Sequence, residues 1–320
     1  MPGAPRAASL ENLKAKTDNS GVLTLADLET WSFDGTPLAV LGQPIKHSIS
    51  PAMHNAALAA MAQRDARFAT WKYFRFEIAP TDLGRALPLL HAKRFRGINL
   101  TVPHKVIAVD HIADISPAAK QIGAVNTLLW TEAGWQGHNT DGYGLATGTR
   151  EDLHVALSRT HIVLLGAGGA ARGAAVECLL AGCASLSIAN RTRENLDALL
   201  ASLRPLAGTI PLRGFAPGEP PPDLPAGALV VNATSAGLRD TDPVPVNLDA
   251  LPTPAGVYDM IYNPPETTLL RAAKTLGLPC ANGLSMLVHQ GAKALEIWSG
   301  TPADVNAPIM AAAVRTALGR

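Results

Sequence analysis

From Pro37 onward, short apolar runs alternate with stretches whose apolar residues recur at helical spacing. PLAVLG (37–42), KYFRFEI (72–78) and RGINLTV (96–102) read as strands. PAMHNAALAAMA (51–62), TDLGRALPLLHAK (81–93) and HKVIAVDHIA (104–113) read as helices. A βαβ series of this kind predicts a largely parallel sheet covered by helices. AVNTLLW (124–130) and WQGHN (135–139), separated by TEAG, predict a hairpin that closes the first unit, with a domain boundary following at 141–150. A second α/β series then runs through HIVLLGAGGAARGAAVECLLAG (161–182), ASLSIAN (184–190), ALVVNATS (228–235) and GVYDMIY (256–262). Strands resume on both sides of its proline-rich insert APGEPPPDLP (216–225), which makes the insert a surface loop. TTLLRAAKTLG (267–277) predicts a further helix, as do residues 284–298 and 303–318.

At 320 residues and 47% hydrophobic composition, the chain is long enough for two α/β domains, each with its own core. Charged residues are 17% and the formal net charge is +1, so no electrostatic footprint for nucleic acid or an anionic membrane is present and the expected ligand is small. Cys178, Cys183 and Cys280 are odd in number and lack CxxC spacing, which suits core residues in a reducing cytoplasm. Residues 1–36 lack a signal-peptide core and read as an N-terminal extension, with one amphipathic helix around Leu23, Leu25, Leu28 and Trp31.

The glycine pattern Gly166-x-Gly168-x-x-Ala171 directly follows an apolar strand and opens an apolar helix. That context turns a weak motif into a dinucleotide-binding, Rossmann-like expectation. Gly166 permits the tight turn, Gly168 lets the backbone approach a pyrophosphate, and Ala171 lets the helix pack closely, while the amides of Ala167, Gly168, Gly169 and Ala170 face the phosphates. The next strand ends in Asn190, Arg191, Thr192 and Arg193, where an NAD-binding protein usually carries a carboxylate for the ribose 2′-hydroxyl. A guanidinium there pairs with a 2′-phosphate, so the expected cofactor is NADP.

Three stretches of the first unit place polar groups at strand ends: HSISP (47–51), GINLTVPHK (97–105), and GAVNT with GHNTDGYG (123–127, 137–144). Ser48 and Ser50 face one side of an extended backbone, and Pro51 makes Ser50 the expected N-cap of a helix whose positive end favours an anion. The alternative is purely local: Ser50 caps and Ser48 makes a turn. Lys105 ends a buried strand, where ligands of α/β sheets bind, and a partly desolvated lysine held by a carboxylate exchanges protons near neutrality. Asp141 is the candidate carboxylate.

Together with NRT, NATSAGL, YDMIYNP and NGLSMLVHQGAKALEIW, these motifs resemble the shikimate dehydrogenase family, in family order from Leu41 to Trp298. The resemblance implies two α/β domains with a cleft between them. Residues 37–141 and 283–320 would form a mostly parallel substrate-binding domain, and residues 142–282 a Rossmann-like NADP-binding domain. It implies an oxidoreductase of a CH–OH group that reversibly reduces 3-dehydroshikimate to shikimate with NADPH, in aromatic amino acid (chorismate) biosynthesis. Lys105 and Asp141 would be the catalytic pair. Ser48, Ser50 and Tyr262 would hold the substrate carboxylate, and Asn99, Thr101, Asn126 and Gln290 its ring hydroxyls. Thr234, Gly283 and Met286 would border the nicotinamide. No metal is expected, since His47, His54 and His104 lack ligand spacing backed by a carboxylate. A monomer or a homodimer is equally compatible with these motifs.

The family pattern NRTxxR breaks at Asn195, which removes one positive group unless Arg193 substitutes. A quinate or aminoshikimate dehydrogenase and a catalytically silent NADP-binding regulator are the alternatives. Two serines in Ser-x-Ser favour shikimate, and the presence of both Lys105 and Asp141 disfavours the regulator. Gly142 and Gly144 make a hinge at the boundary plausible on sequence.

Overall fold

The computed structural model describes residues 21–101 and 103–320; residues 1–20 of the expected extension, and Val102 at the end of the expected 98–102 strand, lie outside the described residues. Two units result. One comprises the described residues up to Thr140 together with Gly291–Arg320, and the other is Asp141–Gln290.

The first unit begins with a short helix, α1 (Leu25–Glu29), closed by a capping box in which Thr24 and Asp27 bond reciprocally. Strand β1 (Thr36–Gly42) is buried along nearly its whole length, as expected of a central parallel strand covered on both faces. It is followed by α2 (Ser50–Arg64), β2 (Trp71–Glu77), α3 (Leu83–Ala92), β3 (Gly97–Leu100) and α4 (His104–Ile107). Then come β4 (Asp114–Ile115), α5 (Pro117–Ile122) and the hairpin β5 (Thr127–Thr131) and β6 (Gly134–His138). The sheet order is β2-β1-β3-β5-β6-β4. β1 pairs in parallel with β2 and β3, β4 with β6, and the hairpin is antiparallel.

Residues 23–31, read as part of an extension, belong to this core. Leu23 bridges to Phe76, and Leu23, Leu28 and Trp31 are buried in the cluster that includes Phe76, Phe95 and Ile98. Trp31 meets Phe74 edge-on at 4.8 Å, burying an aromatic surface that a solvated tail would leave exposed.

The second unit opens with α6 (Asp141–Leu153) and continues with β7 (His161–Leu165), α7 (Gly169–Leu180), β8 (Ser185–Ala189), α8 (Arg193–Ala207) and β9 (Leu212–Phe215). It ends with β10 (Leu229–Asn232), β11 (Gly256–Asp259), α9 (Thr268–Thr275), β12 (Cys280–Asn282) and the start of α10 (Leu284–Ser299). The chain finishes in α11 (Ala303–Ala317), which belongs to the first unit. The sheet is parallel throughout, in the order β12-β11-β10-β7-β8-β9. The strand order therefore reverses between β7 and β10, the position at which doubly wound sheets bind ligands.

The 141–150 stretch is helix, and its glycines serve packing. A Cβ on Gly144 would lie 2.6 Å from the Met286 carbonyl, and one on Gly148 2.5 Å from Tyr258 Oη. Glycine here brings α6 against the first turns of α10 and the end of β11, which a hinge would not require. The same packing keeps residues 283–290 with the second unit. Among the described residues no helix is long and apolar enough to cross a membrane.

Candidate active site

In the second unit, the C-terminal ends of β7, β8, β10 and β11 stand side by side, since Leu165 is in register with Ala189 and with Asn232, and Asn232 with Asp259. Gly166 turns at φ +109, a conformation that strongly favours glycine, and its N–H donates to the Ala189 carbonyl at 2.8 Å. Gly168 and Gly169 are exposed, and a Cβ built on either meets nothing within 4 Å. This turn thus offers open space at the N-terminus of a 12-residue helix, a cradle that fits a pyrophosphate. Ala167 is half-buried, Ala170 exposed and Ala171 buried beneath the turn.

Beyond β8, Asn190 donates from Nδ2 to the Thr192 carbonyl at 2.8 Å, shaping the loop that presents the exposed Arg191. Arg193 bonds through Nε to both carboxylate oxygens of Asp197, at 3.0 and 2.8 Å. A group read as a stand-in for the missing family arginine is therefore already partnered at Nε by a carboxylate one helical turn away. At the end of β10, Thr234 lies against Gly166, with Cγ2 3.1 Å from where a Cβ on that glycine would stand. Gly283 is pressed against the Met260 backbone, and the buried Met286 donates its N–H to Tyr258 Oη at 3.2 Å. Gln290 bonds to the Leu287 carbonyl within α10, and Asp141 is half-buried at the first position of α6. Tyr262 is half-buried, and burial raises its pKa, so its hydroxyl keeps its proton as a donor at neutral pH.

In the first unit, the polar residues of GINLTVPHK and GAVNT meet in one buried network. Asn99, 7% exposed on β3, accepts from Tyr73 Oη at 2.8 Å and donates from Nδ2 to the Asn126 carbonyl (3.2 Å) and to Thr127 Oγ1 (3.1 Å). Both amide hydrogens are used, so Asn99 has only a lone pair on Oδ1 to offer a ligand hydroxyl. Asn126 accepts at Oδ1 from Thr127 Oγ1 and from the Thr140 N–H, both at 2.8 Å, and donates to Thr140 Oγ1 at 3.0 Å. Thr101 follows β3 and sits over Gly42, where a Cβ would overlap its methyl group. Lys105 is half-buried on α4, and its carbonyl accepts from the Val125 N–H at 2.8 Å, which joins this turn to the Asn126 segment.

Ser48 and Ser50 precede and open α2, with a different division of labour from the one expected. The N-cap is Ile49 and makes no side-chain cap bond, while Ser48 Oγ accepts from the Ser50 N–H at 3.4 Å. Ser50 stands one residue inside the helix, so capping does not engage its hydroxyl. Sequence reasoning missed Tyr73, Thr127 and Thr140 here, and Asn232 and Asp259 in the second unit. Thr140, Asn232 and Asp259 lie inside the motifs GHNTDGYG, NATSAGL and YDMIYNP, which was a usable signal. Tyr73 reads as an ordinary core aromatic of a strand.

The fold and these strand-end groups define a two-unit α/β protein in which the second unit is a Rossmann dinucleotide unit and the first carries a buried network of amides and hydroxyls. The model for the shikimate dehydrogenase substrate binding domain matches residues 40–128, and that for the shikimate 5'-dehydrogenase C-terminal domain matches residues 283–315. The shikimate dehydrogenase (NADP(+)) of Thermosynechococcus vestitus is 41% identical over 286 residues, covering 88% of this chain and 96% of that protein. The crystal structure of Thermus thermophilus shikimate 5-dehydrogenase in complex with NADP(H) and shikimate superposes with a TM-score of 0.75 at 34% identity, over 88% of this chain and 99% of that one. The ligand-free 5-ketofructose reductase of a Gluconobacter strain superposes equally well, with a TM-score of 0.76 at 31% identity over 89% and 99% of the two chains. The fold alone therefore does not choose a substrate. The sequence relatives do choose a family: the chain belongs to the shikimate dehydrogenase family.

Proposed function

We propose that the protein is an NADPH-dependent shikimate dehydrogenase that reversibly reduces 3-dehydroshikimate to shikimate, in the cytoplasm. The observation that carries this reading is the 41% identity along 96% of a relative named for that activity, in a chain that retains both Lys105 and Asp141. Most groups assigned to the substrate lie in the unit that runs up to Thr140, and those assigned to the cofactor lie in Asp141–Gln290, which also carries Asp141, Tyr262 and Gln290. The open glycine turn and the exposed Arg191 support NADP. The unpaired cysteines Cys178, Cys183 and Cys280 suit a reducing compartment.

When bound, NADPH supplies a hydride to the C3 carbonyl carbon. Lys105 is assigned to stabilise the negative charge that develops on the carbonyl oxygen and to deliver the proton that completes the alcohol. Asp141 is assigned to orient the lysine and to accept from a neighbouring hydroxyl. Ser48, Ser50 and Tyr262 donate to the substrate carboxylate, and Asn99 accepts from a ring hydroxyl through its remaining lone pair. Thr101, Asn126 and Gln290 complete the hydroxyl contacts, while Thr234, Gly283 and Met286 line the nicotinamide side.

The test is reduction of NADP+ by shikimate, followed by nicotinamide absorbance, with quinate and NAD+ as parallel arms. Shikimate with NADP+ is expected to be the preferred pair. Lys105→Ala should lower turnover about 10²- to 10⁴-fold while leaving shikimate affinity much less affected. Near-normal turnover in that variant would overturn the role given to Lys105, and preferred oxidation of quinate would overturn the substrate.

A further inference from the structure

Asp259 is fully buried at the end of β11, has no exposed surface, and plays no part in the chemistry above. Its two oxygens do different things. Oδ2 accepts from Thr267 Oγ1 at 2.6 Å, and Thr267 in turn caps α9 by accepting from the Leu270 N–H at 3.3 Å. Oδ1 accepts from the Ile261 N–H and from Asn232 Nδ2, both at 3.0 Å. Burial raises the pKa of this carboxyl against the pull of those three donors.

Asn232 is equally buried and is the hub of the loop that follows β10. Its Oδ1 accepts from the Thr234 N–H (3.0 Å) and from Thr234 Oγ1 (2.7 Å), and its Nδ2 donates to the Ala236 carbonyl (3.3 Å) as well as to Asp259. Thr234 Oγ1 then accepts from the Ala236 N–H at 3.1 Å. Both amide hydrogens and both lone pairs of Asn232 are engaged, so the side chain has one orientation only, and the loop is wound around it. That loop forms a wall of the glycine turn. The Ala233 N–H donates to the Leu165 carbonyl at 3.0 Å, immediately before Gly166, and a Cβ on Gly166 would stand 3.2 Å from the Ala233 carbonyl oxygen and 3.1 Å from Thr234 Cγ2, so the loop is tied to the turn and borders it closely.

We propose that Asp259 is a positioning residue for the dinucleotide site: acting through Asn232, it holds the loop 233–237 against the glycine turn. The inference rests on the reading that residues 166–171 bind NADP. Its consequence is specific to one ligand. Loss of the Asn232 arm weakens the dinucleotide, while the groups assigned to the other substrate keep their own anchors, in Asn99, Asn126 and Thr140 and in the bond from the Ile261 N–H, beside Tyr262, to Asp259.

The experiment measures NADP+ dissociation constants by calorimetry on the full-length protein, together with steady-state KM values for both substrates. Asp259→Ala and Asn232→Ala cut the clamp from opposite ends. Each should weaken NADP+ roughly ten- to a hundredfold, the loss of a hydrogen bond to a charged group, and raise the KM for NADPH; Asn232→Ala, which leaves the bond from Ile261 beside Tyr262 to Asp259 in place, should keep the KM for 3-dehydroshikimate within about twofold. Asp259→Asn keeps an oxygen for Asn232 and Ile261 and should restore most of the affinity. Thr267→Val removes only the arm to α9; it should lower the unfolding temperature and leave NADP+ affinity unchanged. Should Asp259→Ala fail to fold, Asn232→Ala decides, because Asp259 keeps its bonds to Ile261 and Thr267 in that variant. Unchanged NADP+ affinity in the folded clamp variants overturns the proposal, as does a loss in Thr267→Val as large as theirs. Wild-type protein that does not bind NADP+ overturns the cofactor reading itself, an outcome separate from equal binding by wild type and variants.

Discussion

His54 puts an ionisable ring where a charge has no support. It is fully buried on α2, stacks on Tyr73 at 4.2 Å with the rings 4° from parallel, and neither ring nitrogen has a hydrogen-bond partner among the described residues. Burial lowers its pKa from 6.5 to about 3. The ring therefore stays neutral in the folded protein over the pH range in which the unfolded chain takes up a proton. The sign follows: the folded state has full stability above the unfolded value of 6.5 and loses it as pH falls from there toward about 3. At pH 5 the unfolded histidine is almost wholly protonated, and the loss amounts to about 2 kcal/mol, steepening to about 1.4 kcal/mol per further pH unit. His54→Phe keeps the stack on Tyr73 and removes both unpaired nitrogens, so it removes this slope. Urea unfolding of both proteins at pH 7 and pH 5 is the assay. Other groups that titrate in this range, including the buried His104, are common to the two proteins and drop out of the difference. The wild type should lose about 2 kcal/mol more than the variant between the two pH values. Parallel losses, within about 0.5 kcal/mol, would refute the assignment of a neutral, unsupported imidazole at this position. Because Tyr73 donates to Asn99, the acid-sensitive point adjoins the proposed substrate network.

Two further outcomes follow from the same geometry. Gly97→Ala would drive a methyl group into the indole of Trp298, which is 1% exposed and held by its Nε1 bond to the Leu128 carbonyl at 2.9 Å; denaturant titration should show a loss of about 3 kcal/mol. Arg191→Glu replaces an exposed cation beyond β8 with a charge that repels a 2′-phosphate, so kcat/KM for NADP+ should fall at least about tenfold relative to NAD+, read by running the two cofactors side by side.

Much of the second unit was legible in the chain because a parallel sheet buries both faces of its strands. HIVLL, SLSIA and LVVN stand out as apolar runs, and the glycines after HIVLL mark the turn. The strands that were missed are short or peripheral. Leu212–Phe215 and Cys280–Asn282 occupy the two edges of that sheet, and Asp114–Ile115 an edge of the other. Two to four residues carry too little periodicity to be read alone, and pairing with a neighbour is what makes them strands. Gly142 and Gly144 were ambiguous for a related reason. A glycine pair at a domain boundary looks the same in sequence whether it bends or packs, and only the facing residues, Glu177 for one and Met286 with Gln290 for the other, decide.

The sequence by itself determined the two-part α/β plan, the glycine turn after β7, the cationic loop after β8 and the candidate residues Lys105, Asp141, Ser48 and Ser50. These follow from local patterns and residue chemistry that survive in any chain written this way. Tertiary structure alone decided that Asn99 has a single lone pair to offer and that Asp259 grips the loop beside the glycine turn. Each of these turns on which partner takes a hydrogen-bonding group, and the partners are 27 residues apart for Asn99 and Asn126 and for Asn232 and Asp259. Such pairings are set by sheet register, which no local pattern contains.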